Sequence, residues 1–272
     1  MENKNVTPNR VIKKKAREQL KGNWTSAVLV CFIYWLILFS IGSIDAIASI
    51  LNNVKNGFLL SGQTEDTSFG LACVIIQILI GGPFAYGIWN FFKNLGREES
   101  PKIEDLFKGF KFLVPNFLIN LIVSIFQFLW SLLFILPLII AFTIIMLKSV
   151  YEVQFTSLPL VVFTVAAITV TIILTIILLR YSMVFLVYND NKELSAMEVV
   201  KASVSMMKGY KFKLFLMNLS FIGWFILSIL TLGIGFLWLY PYINASTFNF
   251  YEDIISKDKK GDLMEKATIE AN

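Results

Sequence analysis

The stretch that decides the fold is Phe112–Leu147, FLVPNFLINLIVSIFQFLWSLLFILPLIIAFTIIML, which contains no charged residue. A helix rises about 1.5 Å per residue, so this stretch would be about 54 Å long. The hydrocarbon core of a bilayer is only about 30 Å thick. The stretch is therefore long for one upright span and short for two, and we expect a single span that tilts or kinks at Pro137.

Five other stretches are apolar enough to cross a bilayer as helices. They are residues 24–46, 69–92, 158–180, 212–231 and 236–251. The last two belong to one long apolar stretch, which must fold back on itself, and the glycine-rich TLGIG at Thr231–Gly235 supplies the turn. With 113–147 as one span, the sequence predicts an all-α bundle of six transmembrane helices. Residues 1–272 would form a single integral membrane domain that ends in a charged cytoplasmic tail, 252–272.

The distribution of basic residues selects this topology. Cytoplasmic segments of membrane proteins carry an excess of Lys and Arg. With six spans, only Lys55 and Lys148 of the 24 basic residues fall on the external side. Both termini are then cytoplasmic, in a cell membrane. Ala46–Ala48 resembles a signal cleavage site, but the apolar stretch before it is long and five spans follow, so we expect the first span to be uncleaved.

The composition excludes several classes of protein. Hydrophobic residues make up 56% of the chain and charged residues 16%, against about 25% charged in soluble domains. There is no His, which removes the commonest general base and metal ligand. We therefore expect no catalytic residue, metal or other cofactor, and no binding to nucleic acid.

A short helix is predicted before each of three spans. These helices begin at Thr7–Pro8, at Ser100–Pro101 and at Ser195, where Glu198 completes a capping box. Each ends in Lys-Gly, at Gly22, Gly109 and Gly209. The pattern predicts three cytoplasmic amphipathic helices lying at the membrane interface, in a three-fold repeat of helix plus hairpin. The alternative is that any helix meeting the membrane from this side favours Lys, a Gly stop and an aromatic anchor.

The third of these helices has the clearest apolar stripe. The stripe consists of Met197, Val200, Val204 and Met207. Three lysines follow it before span five, and we expect them to contact anionic lipid headgroups: Lys208, Lys211 and Lys213. Ordinary positive-inside anchoring would explain the same lysines.

Polar residues within the spans are the other candidate site. The candidate intramembrane polar cluster is Gln77, Asn120, Gln127 and Asn218. Such residues commonly form hydrogen bonds between helices, and lining a substrate path is the alternative. No charged residue lies in the middle of a predicted span, where ion or proton coupling would need one.

The C-terminal block adds a family resemblance. The elements LSFIGW (Leu219–Trp224), TLGIG, LW (Leu237–Trp238), PY (Pro241–Tyr242) and FYED (Phe250–Asp253) resemble the bacterial membrane family catalogued as domain of unknown function 975. REQLKGNW (Arg17–Trp24) and LFKGF (Leu106–Phe110) resemble its other recurring pieces. The chain departs from the family pattern at 148–168, where it is longer. The resemblance implies a multi-pass bacterial membrane protein and no established activity.

Three classes of function remain open. The first is a non-catalytic scaffold, accessory or protective factor in an envelope process, such as tolerance to membrane-active peptides. The second is a transporter or permease-like protein for a small or amphipathic solute. The third is an intramembrane or lipid-headgroup enzyme, for which His and clustered carboxylates are missing. Expected partners are the lipid bilayer, anionic headgroups, and an unidentified membrane protein or a second copy of the chain.

Overall fold

The computed structural model describes residues 7–55, 67–151 and 158–270, with side chains at 7–40, 43, 75–147 and 158–257. Helices are the only regular secondary structure in these residues. The α-helices are α1 Asn9–Leu20, α2 Trp24–Lys55, α3 Thr67–Gly96, α4 Leu113–Tyr151, α5 Leu158–Leu178, α6 Val184–Asp190, α7 Ala196–Met206, α8 Lys211–Leu219, α9 Ile222–Leu230 and α10 Phe236–Glu270. Two 3₁₀ helices, Ile103–Phe112 and Leu179–Tyr181, precede α4 and α6. The predicted all-α class is confirmed.

Four stretches of the described residues are long and apolar enough to cross a membrane. They are Ile75–Gly96, Ile103–Leu147, Leu158–Asp190 and Lys211–Leu230. A fifth qualifies if α1 and Trp24–Ser40 of α2 count together, although the two helices meet at 99°. These stretches are compatible with a membrane protein. The predicted span 236–251 is not one of them, because α10 carries polar residues such as Asn244 and Asn249.

The buried residues gather at one end of the helices, which we call the packed end. It consists of α1, the first turns of α2, residues 84–95 of α3, the 3₁₀ segment Ile103–Phe112, the start of α4, α6, α7, α8 and residues 239–254 of α10. The far parts of the long helices and the short helix α9 instead leave large apolar side chains exposed: Trp35, Phe39, Leu133, Leu158 and Trp224. An exposed apolar surface of this kind fits lipid.

Helix α1 lies against the packed end and turns sharply into α2. Its residues Ile12, Ala16 and Leu20 are buried, and its main neighbour is α10. The turn is made at Gly22, whose φ of +89° is accessible to glycine at little cost. Gly209 has φ of +84° at the matching place before α8, so two of the three Lys-Gly pairs are equivalent in conformation.

The Lys-Gly pair at Lys108–Gly109 differs from the other two. The helix predicted from Ser100–Pro101 to Gly109 is wrong in its bounds. The structure forms the 3₁₀ helix Ile103–Phe112, which continues through Gly109. The backbone N–H of Lys102 donates to the Asp105 carboxylate at 3.0 Å and starts the helix there. Gly109 lies so close to α3 that an added Cβ would overlap the Pro83 carbonyl. Glycine here permits close packing and does not end a helix.

Two further differences concern the predicted third repeat, which begins with α7 and continues into α8 and α9. The buried face of α7 carries Val199, Val200 and Ser203, whereas Met197, predicted for the apolar stripe, is 40% exposed. The buried residues of α1 and α7 contact other helices of this chain, so their apolar faces are occupied by protein. The predicted span 212–231 is two helices, α8 and α9. The hydroxyl of Ser220 bonds to the Met217 carbonyl at 2.6 Å between them.

The long uncharged stretch forms one helix, α4, which runs unbroken through Pro137. The end of α9 is joined to α10 at the predicted glycine-rich segment. There the N–H of Gly233 donates to the Ser228 carbonyl at 2.9 Å and closes a tight turn. Helix α10 then returns to the packed end and continues past residue 251 into the predicted tail.

Candidate functional site

The C-terminal part of α3 presents a polar face at the packed end. Lys93 and Asn94 lie three and four residues after Asn90, and Arg97, directly after α3, lies four and three residues after them, which places the four on one side of the helix. Phe91, Phe92 and Leu95 occupy the opposite side and are buried. The sequence NFFKNLGR therefore anchors α3 in the core and directs its amides and cations toward the neighbouring segments.

Arg97 is the centre of an ion-pair group that joins three helices. Its guanidinium donates two hydrogen bonds to Asp190 of α6, at 2.8 and 2.7 Å, and contacts Glu252 of α10 at 2.7 Å. The ammonium group of Lys93 lies 2.7 Å from Asp190, and the Tyr251 hydroxyl donates to the same carboxylate at 3.0 Å. We call these five residues the Arg97 cluster.

The electrostatics of the Arg97 cluster favour its charged form. The hydrogen bonds to Asp190 raise the pKa of Arg97 above its ordinary value, although partial burial opposes this, and Glu252 adds to the rise. Charge-assisted and bidentate pairs are the stronger hydrogen bonds in proteins. The Arg97 side chain is 33% exposed, so solvent screens part of this energy. The cluster thus joins α3, α6 and α10 without supplying an unpaired acid or base.

A second carboxylate fastens the 3₁₀ segment to α3. Asp105 is buried and accepts a hydrogen bond from the Asn94 side chain at 2.9 Å. Its other oxygen lies 2.6 Å from the Lys108 ammonium group. Beside it, Gly87 approaches so closely that an added Cβ would overlap the Leu106 carbonyl. The 3₁₀ segment therefore packs directly on the backbone of α3.

A cleft of about 480 Å³ lies between α3, the 3₁₀ segment and the loop after α6. Five basic side chains line it: Lys93, Arg97, Lys108, Lys111 and Lys192. Glu99 is its one acidic lining residue, and Tyr86 and Phe112 supply aromatic surface. We call this feature the basic cleft. It borders the Arg97 cluster, which shares Lys93 and Arg97 with it.

The segment that precedes α1 is bound to α10 next to Glu252 of the Arg97 cluster. The backbone N–H of Thr7 donates to Asp253 of α10 at 3.2 Å, and its hydroxyl donates to the same carboxylate. Lys257 contacts Asp253 at 2.8 Å. Burial alone would raise the pKa of Asp253, but the bonds from Lys257 and Thr7 outweigh it and hold that pKa below its ordinary value. The carboxylate is therefore ionised at neutral pH.

The side chain of Gln19 links α1 to two other helices. Its amide nitrogen donates to the Gly96 carbonyl at 2.9 Å, and its oxygen accepts a bond from Asn249 at 2.7 Å. Together with the contacts of Thr7, these bonds hold both ends of α1 at the packed end.

The three lysines predicted to contact headgroups differ in environment. Lys208 is exposed, and Lys211 is half-buried. Lys213 donates to the backbone carbonyl of Thr7, so its ammonium group is engaged by the chain itself. Lys208 and Lys211 are thus the two of the three whose ammonium groups have no described protein acceptor. Their contact with lipid stays a prediction.

The four polar residues predicted within the spans are spread over three helices. Asn120 of α4 donates to the Ile78 carbonyl at 3.0 Å, next to Gln77 on α3. Gln127 and Asn218 have exposed side chains on α4 and α8. The structure therefore brings Asn120 to the helix that carries Gln77, and it shows no bond from Gln127 or Asn218 to that pair in the described residues.

The Arg97 cluster and the basic cleft were missed by sequence reasoning, although one signal was available. The FYED motif places Tyr251, Glu252 and Asp253 in adjacent positions, and all three contact distant segments. Their partners are far away in the sequence, so no local spacing reveals them. In the described residues, no three Asp, Glu or Cys side chains are grouped as metal ligands.

Comparison with known proteins supports the resemblance. The model of a family described as protein of unknown function (DUF975) matches residues 1–258. The chain belongs to the DUF975 family. No curated protein and no solved structure matches it. The FYED motif of this DUF975 chain lies inside the matched region, and so do the Arg97 cluster and the basic cleft.

Proposed function

We propose that this DUF975 protein is a six-span integral protein of a bacterial cytoplasmic membrane, with both termini in the cytoplasm. We propose further that it acts without catalysis, as a scaffold, accessory or protective factor in an envelope process. The observation that carries the proposal is the division of the same helices into a polar packed end and an apolar exposed end. In water the exposed end would be costly, whereas lipid accommodates it.

The six spans would be α2, α3, α4, α5, the α8–α9 pair and α10. Helix α10 is the least apolar of them, but its polar residues Asn244, Ser246 and Asn249 are buried among other helices. A spanning helix needs apolar side chains only where it faces lipid, because protein partners satisfy the rest. The short helices α1, Ile103–Phe112 and α7 each precede one pair of spans, which supports a three-fold repeat of helix plus hairpin.

The ion pairs formed by the acidic side chains support a structural role. Asp105, Asp190, Glu252 and Asp253 each form an ion pair with a Lys or Arg side chain. A general acid or base needs a proton affinity near the working pH. Carboxylates that are paired with cations instead stabilise the packing of the chain, which is what a scaffold requires.

Labelling with an impermeant thiol reagent tests the topology. In a chain whose Cys31 and Cys73 are replaced by Ala, Leu232→Cys places a thiol in the α9–α10 turn, where Leu232 is 95% exposed. Ser205→Cys places one on the exposed surface of α7. We expect Leu232→Cys to react in intact cells and Ser205→Cys to react only after permeabilisation. The reverse pattern would contradict the orientation, and equal labelling of both would contradict the membrane location.

Complementation separates a scaffold from a transporter. A strain lacking the gene should lose tolerance to a cationic membrane-active peptide, measured as the inhibitory concentration. We expect the Gln127→Leu/Asn218→Leu variant to restore tolerance. Both side chains are exposed, and a scaffold does not need the polar path that they would line in a transporter. The Arg97→Ala/Asp190→Ala variant should fail to restore it. Failure of the first variant would favour the transporter, and unchanged tolerance of the deletion strain would reject the protective role.

A further inference from the structure

The basic cleft has the features of a binding site for an anion. Its cations fall into two groups according to their partners. Lys93 and Arg97 are neutralised by Asp190 and Glu252, and Lys108 is neutralised by Asp105. Lys111 and Lys192 have no carboxylate within ion-pair distance among the described residues. The cleft therefore retains two ammonium groups that a ligand can neutralise.

Asn90 supplies a neutral donor group in the wall of the same cleft. The side-chain nitrogen of Asn90 is buried, lines the cleft, and has no hydrogen-bond acceptor in the described part of the chain. A buried donor without an acceptor is costly, so such groups commonly mark a ligand or water position. The neighbouring Asn94, one turn further along α3, is satisfied by Asp105.

The walls of the cleft place apolar surface beside the cations, which indicates the kind of ligand that fits. The rings of Tyr86 and Phe112 are 5.9 Å apart and form apolar surface beside the cations. The ammonium group of Lys192 lies 4.9 Å from the centre of the Phe112 ring. Phe112 ends the 3₁₀ segment, and the next residues, Leu113 and Val114, are exposed apolar side chains at the start of α4. The cleft thus lies where a polar segment meets an apolar helix.

We propose that the basic cleft binds a phosphate ester, with Lys111, Lys192 and the Asn90 amide as donors to its oxygens. Two cations and one amide donor match the charge and the several acceptor oxygens of a phosphate group. The ester comes either from the headgroup of an anionic phospholipid, whose acyl chains lie along α4, or from a soluble phosphate compound. The lipid source rests on the proposed membrane location, which thiol labelling decides separately.

Titration of the full-length, detergent-purified protein tests the site. Three titrants are compared by microscale thermophoresis: dihexanoyl phosphatidylglycerol, dihexanoyl phosphatidylcholine and sn-glycerol 1-phosphate. We expect phosphatidylglycerol to bind at least about tenfold more tightly than phosphatidylcholine, whose headgroup has no net charge. Tight binding of glycerol phosphate as well would assign the site to soluble phosphate esters. Tight binding of phosphatidylglycerol alone would assign it to lipid.

Variants connect the binding to the cleft. Lys111→Gln/Lys192→Gln should weaken binding of the preferred titrant about thirtyfold, because each lysine facing a phosphate contributes about a fivefold effect. Neither lysine forms a described ion pair, so the fold should persist, as melting temperature will show. The nearly isosteric Asn90→Asp should also weaken binding, because it replaces a donor with a negative charge.

The matched control removes one exposed lysine from α1 and one from α7, in Lys15→Gln/Lys201→Gln. It changes net charge equally and should leave the Kd within about twofold of wild type. Wild-type affinity in the Lys111→Gln/Lys192→Gln variant would overturn the proposal. Equal weakening in the control variant would also overturn it, because binding would then depend on general surface charge.

Discussion

At the scale of single residues, the chain uses long-range ion pairs where the sequence suggests only topology signals. Lys93 and Arg97 count toward the cytoplasmic excess of basic residues, yet both are bound to Asp190. The Ser195–Glu198 capping box, by contrast, is local. It is confirmed by bonds of 2.8 and 2.7 Å from the Ser195 N–H and hydroxyl to the Glu198 carboxylate. Local pairs could be predicted from spacing, and distant pairs could not.

Replacing Arg97 with Ala should therefore destabilise the packed end. The change removes the bidentate pair with Asp190 and the contact with Glu252. We expect a loss of about 1–2 kcal/mol, below the cost of breaking a fully buried pair, because solvent reaches part of the side chain. Arg10→Ala, at an exposed position on α1, is the matched control. Thermal denaturation in detergent measures both, and equal melting temperatures would contradict the role of the cluster.

Asp253 makes a second residue-scale prediction, which concerns pH. Its folded-state pKa is depressed, so the attachment of Thr7 is stabilised above the ordinary value of 3.8 and is lost as the pH falls below it. Asp253→Asn should mimic low pH at neutral pH and release the start of α1. Limited trypsin digestion at Arg10 measures this release. Cleavage that is equally slow in both proteins at pH 7 would show that Asp253 does not hold α1.

At the scale of elements, the structure depends on close approach between backbones. Gly82, Gly87 and Gly109 each lie where an added Cβ would overlap a neighbouring carbonyl group. The first two belong to α3, and Gly109 belongs to the 3₁₀ segment that lies on it. Sequence reasoning assigned Gly109 to a helix end, because a Lys-Gly pair at a helix end is common. Whether a glycine serves a turn or a contact depends on its neighbour in space, and one sequence does not reveal that neighbour.

Gly87→Ala should therefore be destabilising, by about 1–3 kcal/mol, because α3 and the 3₁₀ segment must move apart. Gly223→Ala is the control. Gly223 lies in α9 with open space around its Cβ position, and alanine favours a helix over glycine by about 1 kcal/mol. The control should be neutral or slightly stabilising. The melting temperatures of the two variants and the wild-type protein test this prediction. Similar values for both variants would contradict the close contact between α3 and the 3₁₀ segment.

At the scale of the whole molecule, burial and apolarity lie in different places. The largest buried side chains are at the packed end, whereas the apolar helices α4 and α5 are mostly exposed. Helices α4 and α5 lie within candidate spans of the structure, whereas α10, which contains the predicted span 236–251, does not qualify as one. The presence of long apolar helices was therefore predictable, whereas their number, six predicted against four or five in the described residues, and the central place of α10 were not. That place depends on contacts with α1, α2 and α3.

This division predicts how tryptophans respond to the bilayer. Trp35 is 56% exposed and lies about 16 Å along α2 from Trp24, which puts it near mid-bilayer if α2 begins at the interface. In single-tryptophan variants reconstituted in liposomes, lipid brominated near the chain ends should quench Trp35 strongly. It should quench the half-buried Trp89, near the packed end of α3, much less. Equal quenching of the two would contradict the division of α2 and α3 into packed and lipid-facing parts.

The contact between α1 and α10 bears on how the protein is made. Translation delivers α1 long before α10, so the first helix is complete while its main neighbour has yet to be synthesised. During that interval Ile12, Ala16 and Leu20 have no permanent cover, and Thr7 has no carboxylate to bind. The bonds between Thr7 and α10 can form only after Asp253 of the FYED motif has been synthesised. A chain that ends before α10 therefore carries a basic helix whose apolar side lacks the cover that α10 provides.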